Sequence, residues 1–295
     1  MINNQKQGLI ISLRAGNYFV KIDNDIYKCK ARGLFRHQDI SPVVGDNVIV
    51  EIQNYQEGYI IEILERHNYL ARPKIANIDC GIIITSYDEP QYSYYLIDKF
   101  LAILEFLKIE PIICVTKIDL ASDIKDVYAS FKSYEYDNYQ VVYTSINDAK
   151  TFKSLKEKIN NKLTVLIGQS GAGKSSLLNA INKNLNLQTN EISQSLNRGK
   201  HTTRHVEIFE TNYGLIADSP GFSSLDLDMM QAEDLAIAYH DFKDASTQCK
   251  FNNCLHLNEP QCMVKELVKD NKISLTRYNN YLLFQEEIKN RKVRY

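Results

Sequence analysis

Apolar and polar residues alternate along the first part of the chain, in short segments that turn residues separate. Segments of this kind occupy residues 8–13, 18–22, 25–30, 47–52 and 59–64. Alternation with a period of two residues predicts β-strands that bury one face. Five short strands with few helical segments between them predict a small closed barrel, for which an OB-fold and an SH3-like barrel both remain open.

The pattern changes after Pro73 to strands that alternate with helices. Apolar segments at residues 79–86, 112–116, 141–144 and 163–167 predict strands, and helical spacing at 92–107, 124–131 and 152–160 predicts the helices between them. This alternation is typical of a parallel sheet covered by helices. Residues 206–209 and 215–217 flank a turn at 212–214, which predicts a hairpin and the one antiparallel pair of that sheet.

Beyond Asp226 the spacing is mostly helical, apart from a cluster of cysteine and histidine residues. The sequence therefore predicts a multi-domain fold. We expect an N-terminal β-barrel at 1–70, a central α/β domain at 71–225 and a mostly helical domain at 226–295. The length of 295 residues agrees with two or three domains.

Composition alone does not indicate a partner. The chain is 44% hydrophobic and 24% charged, and 35 Lys and Arg against 36 Asp and Glu leave a formal net charge of -1. These values exclude a disordered or disulfide-stapled chain, and a nucleic-acid contact would need a local basic patch. Residues 28–37 hold four basic residues and no acidic one, which fits a solvated loop and a phosphate-binding patch equally well.

The sequence carries no feature of a membrane or secreted protein. No apolar run approaches the roughly 18 residues that a membrane helix needs. The apolar residues 9–13 are followed by Arg14 and lack a small-residue cleavage site. We therefore expect a cytoplasmic protein without membrane contact.

A glycine-rich segment gives the clearest indication of chemistry. Residues 168–175 read GQSGAGKS and match the pattern GxxxxGK[S/T], after an apolar strand and before a helical segment. Backbone N–H groups of such a P-loop surround phosphates at the positive end of the helix. Lys174 would reach the β- and γ-phosphates, and the Ser175 hydroxyl would bind Mg²⁺.

Asp218 and Gly221 form the pattern DxxG at the end of the predicted strand 215–217. In nucleotide hydrolases such an Asp holds Mg²⁺ through water, and the Gly N–H contacts the γ-phosphate. The pattern recurs by chance on its own. Its position after a P-loop, at the end of the next hairpin, makes it specific.

Thr116, Lys117, Ile118 and Asp119 follow a predicted strand and resemble the NKxD motif of GTPases. The Asp carboxylate can accept hydrogen bonds from the N1–H and the 2-amino group of guanine, a pair of donors that adenine lacks. The stem of the lysine can lie over the base. Ser145, just after the strand 141–144, fits the short serine motif that closes such a base pocket.

Three thiols and one imidazole lie within a short stretch of the C-terminal part, supplied by Cys249, Cys254, His256 and Cys262. This donor set is typical of a closed tetrahedral zinc site, which is structural rather than catalytic. Polar neighbours argue against cysteines that merely pack in a core. The other three cysteines lie in predicted strands, where we expect them in the core: Cys29, Cys80 and Cys114.

The order of the motifs is unusual, because the base-binding strands precede the P-loop. A GTPase chain cut before its fourth strand and rejoined would run in this order, with every strand accounted for once. With the linker at Arg72 and Pro73, the segment RGKHTTR at 198–204 and the Cys/His cluster, the chain resembles the circularly permuted GTPases. It resembles in particular the ribosome small-subunit-dependent GTPase A family (RsgA, also called YjeQ), over nearly its whole length.

This resemblance implies an N-terminal OB-fold that binds RNA, a permuted GTPase core and a C-terminal zinc domain. It also implies magnesium-dependent hydrolysis of GTP to GDP, stimulated by the small ribosomal subunit and its rRNA during late maturation of that subunit. One structural zinc per chain and a monomer are expected. Two other functions remain open from the residues alone, an ATP-dependent P-loop enzyme and an RNA-binding module with an inert nucleotide site.

Two residues depart from common GTPase patterns. Thr116 stands where the family has Asn, so a contact to the base or to the P-loop would be lost or replaced. Phe222 stands where many GTPases place a glutamine that orients water, although an apolar residue is usual in this family. We therefore expect His201 to orient the attacking water; a contact with rRNA or a strand cap is its alternative role.

The resulting site assignment has three parts. The expected catalytic residues are Lys174, His201 and Thr203, and the expected magnesium ligands are Ser175 and Thr203, with Thr202 as the alternative to Thr203. The expected nucleotide-binding residues are Thr116, Lys117, Ile118, Asp119, Ser145, Gly168, Gln169, Ser170, Gly171, Ala172, Gly173, Lys174, Ser175, Ser176, Asp218 and Gly221. The expected zinc ligands are Cys249, Cys254, His256 and Cys262.

Overall fold

The computed structural model describes residues 4–36, 40–181, 206–218, 222 and 225–291. Its first five strands are β1 (Gln5–Arg14), β2 (Asn17–Ile22), β3 (Asp25–Ala31), β4 (Asn47–Asn54) and β5 (Glu57–Ile63). They pair in the order β1-β2-β3-β5-β4, and β1 also pairs with β4, so that the sheet closes into a barrel. A closed five-stranded barrel confirms the prediction of an OB-fold.

The barrel interior is filled by alternate residues of each strand. Ile10, Val20, Val48, Val50 and Ile60 are fully buried there. Their period of two places the intervening polar residues on the outside of the barrel. The alternation in the sequence thus explains why one face of each strand fills the barrel interior.

A short hairpin connects the barrel to the rest of the chain. Its strands are β6 (Tyr69–Ala71) and β7 (Lys74–Ala76), and the expected linker residues Arg72 and Pro73 form its turn. The Ala76 N–H donates to the Val44 carbonyl at 3.0 Å, which ties the hairpin to the barrel. The sequence did not predict this pair of strands, because three-residue strands are too short for a periodic pattern.

The central sheet has six strands: β8 (Cys80–Ser86), β9 (Glu110–Thr116), β10 (Gln140–Tyr143), β11 (Leu163–Gly168), β12 (Glu207–Glu210) and β13 (Leu215–Asp218). Their order is β10-β9-β8-β11-β13-β12, and within this sheet only the hairpin β12–β13 is antiparallel among the described residues. The prediction of a parallel sheet with one antiparallel pair is confirmed.

Helices cover both faces of this sheet. They are α1 (Tyr94–Phe106), α2 (Ile124–Tyr136), α3 (Lys153–Lys158) and α4 (Lys174–Ile181). Every residue of β8 is buried, and alternate residues of that strand belong to different apolar clusters, with Ile83 on the α1 side and Ile82 on the α4 side. Strands buried on both faces read as continuous apolar runs, which is the pattern in the sequence.

The barrel and the central sheet are joined at an edge. β1 pairs with β12 in an antiparallel bridge between Ser12 and Glu207. Two ion pairs flank this bridge, from Arg14 to Glu207 and from Lys21 to Glu210. A single strand, β1, therefore belongs to the barrel wall and to the edge of the central sheet.

The C-terminal part is helical, as predicted. Its helices are α5 (Ala232–Ala238), α6 (Lys243–Ser246), α7 (Met263–Lys269) and α8 (Leu275–Lys289). Helix α8 packs against α1 and α5. The Lys99 ammonium donates to Glu287 at 2.7 Å, and the Tyr95 hydroxyl donates to the same carboxylate at 3.0 Å. The C-terminal helices thus rest on the α1 face of the central domain.

Arg277 of α8 lies at the buried centre of this contact, with 2% of its surface exposed. Its guanidinium donates to Asp98 of α1 at 2.6 Å and to both oxygens of Asp241 at 2.8 and 3.0 Å. Asp137, at the end of α2, lies 3.4 Å from Nε of Arg277. We call these four residues the Arg277 cluster.

The Arg277 cluster contains more negative than positive groups. One guanidinium faces three carboxyl groups, and the rings of Tyr134, Tyr139 and Tyr239 surround it at 5.1–5.4 Å. Burial and the nearby charges of Asp241 and Asp98 raise the pKa of Asp137 to about 7, although the Arg277 charge opposes this rise. The carboxyl group of Asp137 therefore titrates near neutral pH.

No helix in the described part of the chain is long and apolar enough to cross a membrane.

Candidate nucleotide site and metal centre

Several of the expected nucleotide-binding residues lie at one edge of the central sheet. β10, β9, β8, β11 and β13 are parallel neighbours, so their carboxyl ends meet at this edge. The P-loop follows β11, Asp218 ends β13, Thr116 ends β9 and Ser145 follows β10. In open α/β sheets this edge is where ligands bind.

The P-loop backbone needs glycine at its first position. Gly168 has φ 152°, and a Cβ atom there would lie 2.2 Å from the Ile84 carbonyl oxygen. Gly173 has φ 97° just before α4 begins at Lys174. The loop can therefore curl closely over the end of β8 and present its N–H groups at the start of the helix.

Lys174 lies inside the curl of the loop. Its ammonium donates to the carbonyls of Gly168 at 2.5 Å and Gln169 at 2.7 Å. Burial lowers its pKa, and the negative charge of Asp218 partly opposes that shift. The cation is thus placed where the phosphates of a bound nucleotide would lie, with the carboxylate of the DxxG motif nearby.

Thr116 contacts the P-loop, although it stands where the family has Asn. Its hydroxyl donates to the carbonyl of Ala172 in the P-loop at 2.7 Å. The side chain is buried between β9 and the P-loop. The threonine therefore links the base-binding segment to the phosphate-binding segment within the protein itself.

A cavity lies between the Thr116–Asp119 segment and the P-loop. Its lining residues are Thr116, Lys117, Asp119, Leu120, Thr144, Ile146, Phe152, Gly173, Ser176 and Leu177. Leu120 and Ile146 are exposed apolar side chains at its rim, with 53% and 67% of their surface accessible. An apolar cleft with one carboxylate and one lysine stem suits a flat heteroaromatic base.

Asp119 receives a hydrogen bond that the sequence did not predict. The amide Nδ2 of Asn147 donates to Oδ2 of Asp119 at 2.8 Å. Ser145 itself is buried, and its hydroxyl accepts from the Asn147 N–H at 3.0 Å. Asn147 belongs to no motif, so only the folded position of the loop after β10 brings it to the site.

The four expected zinc ligands come together in the structure. Their ligand atoms all lie within 4.8 Å of one another. The Cys249 and Cys262 sulfurs are 3.9 Å apart, and Nδ1 of His256 lies 3.7 Å from the first and 3.4 Å from the second. A tetrahedron with metal–sulfur bonds of about 2.3 Å has edges of about 3.8 Å, so the cluster could hold a metal ion.

The turn that carries His256 is fixed by a carboxylate of the turn itself and by two tyrosines of α8. His256 has φ 56°, which is unfavourable for a residue with a side chain. The Glu259 carboxylate accepts from the N–H groups of Leu255 and Leu257, both at 2.8 Å. From α8, the hydroxyl groups of Tyr278 and Tyr281 donate to carbonyls of the same turn at 2.8 and 2.6 Å. The sequence offered one signal for this support, a carboxylate between the third and fourth ligands.

Burial makes the thiols of Cys254 and Cys262 reluctant to ionise, because it raises the pKa of each. It raises the pKa of Cys254 to about 12, and the neighbouring thiols of Cys262 and Cys249 add to the rise. A divalent cation would reverse this effect, because coordination deprotonates a thiol outright. Metal binding at this centre would therefore release thiol protons.

Some expected site residues lie outside the described residues: His201, Thr202, Thr203 and Gly221. Phe222 is described, and its ring is almost fully buried, with 1% of its surface exposed. A buried phenyl ring packs in the core and does not contact solvent water.

Comparison with known proteins gives a family for the whole chain. The model of the RsgA GTPase family matches residues 63–228, and that of the RsgA N-terminal domain matches residues 7–60. A protein of Bacillus cereus called small ribosomal subunit biogenesis GTPase RsgA is 45% identical over 293 residues, covering 98% of this chain and 99% of the relative. The relative of the same name in Bacillus subtilis is 44% identical over 297 residues, with the same coverage.

Solved structures agree with this result. The crystal structure of YloQ, described as a circularly permuted GTPase, matches with a TM-score of 0.83 and 40% identity, covering 99% of this chain and 97% of that one. YjeQ from Thermotoga maritima matches with a TM-score of 0.85 and 33% identity, covering 98% and 100%. The family model spans more than half of the chain and the relatives span almost all of it, so this chain belongs to the RsgA family of circularly permuted GTPases.

Proposed function

We propose that this protein hydrolyses GTP in the biogenesis of the small ribosomal subunit, and that the subunit stimulates the hydrolysis. The observation that carries the proposal is the meeting of Lys174, Asp218 and Asp119 at one sheet edge, in a chain whose full-length relatives are named for that process. A second candidate function, ATP-dependent chemistry, has no supporting observation, because the cavity beside the P-loop contains a carboxylate suited to guanine.

The first experiment measures GTP turnover with and without isolated small ribosomal subunits. We expect slow basal turnover that rises by at least tenfold when subunits are added, and large ribosomal subunits serve as the control. Equal turnover with both subunits, or none with either, would reject the proposal.

Guanine preference is proposed to depend on Asp119. In Asp119→Asn the carboxylate becomes an amide, which opposes one of the two guanine donors with its own N–H group. We expect GTP affinity to fall at least tenfold and xanthosine triphosphate, whose 2-position carries oxygen, to bind better than GTP. Binding of both nucleotides by titration checks this; an unchanged GTP preference would remove Asp119 from the base site.

Magnesium with GTP follows from the GTPase family, and we propose its ligands in this chain. Ser175, at the start of α4, and Thr203 would hold the ion directly, and Asp218 would hold it through water. We further propose that His201 orients the attacking water, because the buried Phe222 cannot do so. His201→Ala should abolish stimulated turnover and leave GTP affinity and subunit binding nearly unchanged.

Zinc is proposed as the metal of the Cys/His centre, with one ion per chain. Three thiols and one imidazole with tetrahedral spacing match the ligand preference of zinc. Because all four positions are filled by protein, the ion would stabilise the fold and would not bind substrate. Elemental analysis of the purified protein should give about one zinc atom per chain.

The outer face of β3 is proposed to contact rRNA. Lys28 and Lys30 are exposed along this strand and Arg32 is exposed just after it; Lys30 lies opposite the exposed ring of Tyr59 on β5. Ammonium groups neutralise phosphates, and an aromatic ring can stack on an unpaired base. Lys28→Glu with Lys30→Glu should weaken binding to the subunit and reduce its dependence on salt concentration.

We propose the domain limits 1–70, 71–225 and 226–295 for the barrel, the GTPase domain and the metal-binding helical domain. The barrel would then adjoin the β12 edge of the nucleotide-binding core, and the helical domain would cover its α1 face. A factor for ribosomal subunits in bacteria such as the Bacillus relatives works in the cytoplasm, and we extend that location, and a monomeric state, to this chain.

A further inference from the structure

We propose that Asn147 is a positioning residue for Asp119 and thereby increases the preference for guanine over adenine nucleotides. The proposal rests on the function given above and adds a residue that belongs to none of the sequence motifs. Asn147 Nδ2 donates to Asp119 Oδ2 at 2.8 Å, and both side chains are exposed at the rim of the base cavity. An exposed aspartate with no partner rotates among staggered rotamers, whereas this contact selects one of them.

The side chain of Asn147 can fix that of Asp119 because hydrogen bonds fix the Asn147 backbone. The buried hydroxyl of Ser145 accepts from the Asn147 N–H at 3.0 Å, and the Ser145 N–H donates to Oγ1 of Thr151 at 3.1 Å. The Asp148 N–H donates to the Ser145 carbonyl at 3.2 Å and closes the turn. The backbone of Asn147 is therefore held by hydrogen bonds to Ser145, which is buried just after β10.

The geometry leaves room for the base. A carboxylate offers about four lone-pair sites, of which guanine would use two and Asn147 uses one. The contact with Asn147 therefore fixes the carboxylate without competing for the base. Adenine lacks the matching pair of donors, so a fixed Asp119 gives it no advantage. A contribution from Asn147 should consequently appear in GTP binding and be absent from ATP binding.

The experiment measures the affinities of the full-length protein for GTP and for ATP by titration. In Asn147→Ala we expect GTP affinity to fall about three- to tenfold, with ATP affinity unchanged, because one hydrogen bond to a charged group is lost at an exposed site. The rate constant kcat at saturating GTP should stay the same, since the phosphates are not involved. Asn54→Ala, at the exposed end of β4 in the barrel, is the control and should change neither affinity.

A double-mutant cycle distinguishes positioning from a direct contact. In an Asp119→Ala background, Asn147→Ala should have no further effect on GTP affinity. An additional loss in the double variant would mean that Asn147 touches the nucleotide itself, and equal losses for GTP and ATP would mean a general structural role; either result overturns the proposal. If the wild type binds GTP and ATP equally, the proposed function fails instead.

Discussion

At the metal centre, all four candidate ligands come from the short segment between Cys249 and Cys262 and lie within 4.8 Å of one another. The nucleotide site instead draws on several strand ends, from Thr116 on β9 to Asp218 on β13. The metal centre is enclosed, with Cys254, His256 and Cys262 buried, whereas the base cavity opens to solvent between exposed side chains. Enclosure suits an ion that stays bound, and an open cleft suits a nucleotide that must enter and leave.

The two regions also differ in how their polar atoms are satisfied. At the metal centre Glu259 and two tyrosines hold the turn of His256. At the nucleotide site carbonyls of the P-loop accept hydrogen bonds from Lys174, and phosphate oxygens would replace them as acceptors. Protein contacts thus hold the turn around the candidate metal ligands, whereas a bound nucleotide would exchange contacts within a P-loop that is already folded.

Removal of one metal ligand should have the largest effect. Cys254→Ser replaces a thiolate by a hydroxyl, and structural zinc in such a centre contributes on the order of 10 kcal/mol to folding. We expect loss of the bound metal and increased hydrogen exchange after about Asp226. GTP binding at the sheet edge should persist. If the variant keeps its metal and its protection from exchange, the centre does not stabilise the fold; Cys29→Ser, in the barrel, is the control for metal content.

The Arg277 cluster joins the C-terminal helices to the central domain, and we expect its loss to lower the free energy of unfolding by less than the loss of a metal ligand. Arg277→Met leaves three buried carboxyl groups without their cation, which typically destabilises a protein by about 3–5 kcal/mol. The variant should unfold at lower denaturant concentration than the wild type. Lys269→Met, an exposed lysine on α7, should leave the midpoint unchanged. A drop as small as that of the control would show that the other contacts between α8 and α1 hold the two helices together without the Arg277 cation.

At the nucleotide site, Lys174→Ala should affect the rate and leave the fold intact. Removing a cation that stabilises the transferring phosphoryl group typically lowers the rate by about 10²–10³. Stimulated GTP turnover should fall by at least that factor, while the unfolding midpoint stays within a degree or two of the wild type. A large fall in the midpoint would mean that Lys174 mainly holds the P-loop through its carbonyl contacts.

The smallest effect is expected at Asp137 and depends on pH. The pKa of this carboxyl rises from 3.8 unfolded to about 7 folded, so the folded state binds the extra proton between those values. Its contribution to stability is complete below pH 4 and is lost as the pH rises through 7. The charged groups that act on it are Asp98, Asp241 and Arg277.

Asp137→Asn should therefore remove this pH dependence. At pH 8 the variant should be more stable than the wild type by about 1–3 kcal/mol, and the difference should shrink toward pH 5. Denaturant unfolding at several pH values measures it, with Asp25→Asn in the barrel as the control. A variant that is less stable than the wild type at pH 8 would mean that the ionised carboxylate of Asp137 is stabilised by Arg277, which contradicts a raised pKa.

Local pattern predicted most of the fold and the chemistry of both sites. Alternating residues predicted the barrel, apolar runs predicted the buried parallel strands, fixed spacing predicted the P-loop, and the Cys/His donor set predicted the cluster whose four side chains come together. These features depend on neighbours in the sequence. Asn147, Glu259 and Asp98 were missed because their roles depend on where the chain places them in space. Asp98 lies in a mostly apolar helix, and its partner Arg277 is 179 residues away.

The bridge between β1 and β12 has a consequence for synthesis of the protein. Arg14 and its partner Glu207 are 193 residues apart. At roughly 5–20 residues per second, about 10–40 s separate their translation. The barrel pairs its own five strands within the first 63 residues, so it can fold long before the sheet edge exists. During that interval the edge of β1 that later pairs with β12 is a free strand edge on a ribosome-bound chain, and it is covered only when most of the protein has been made.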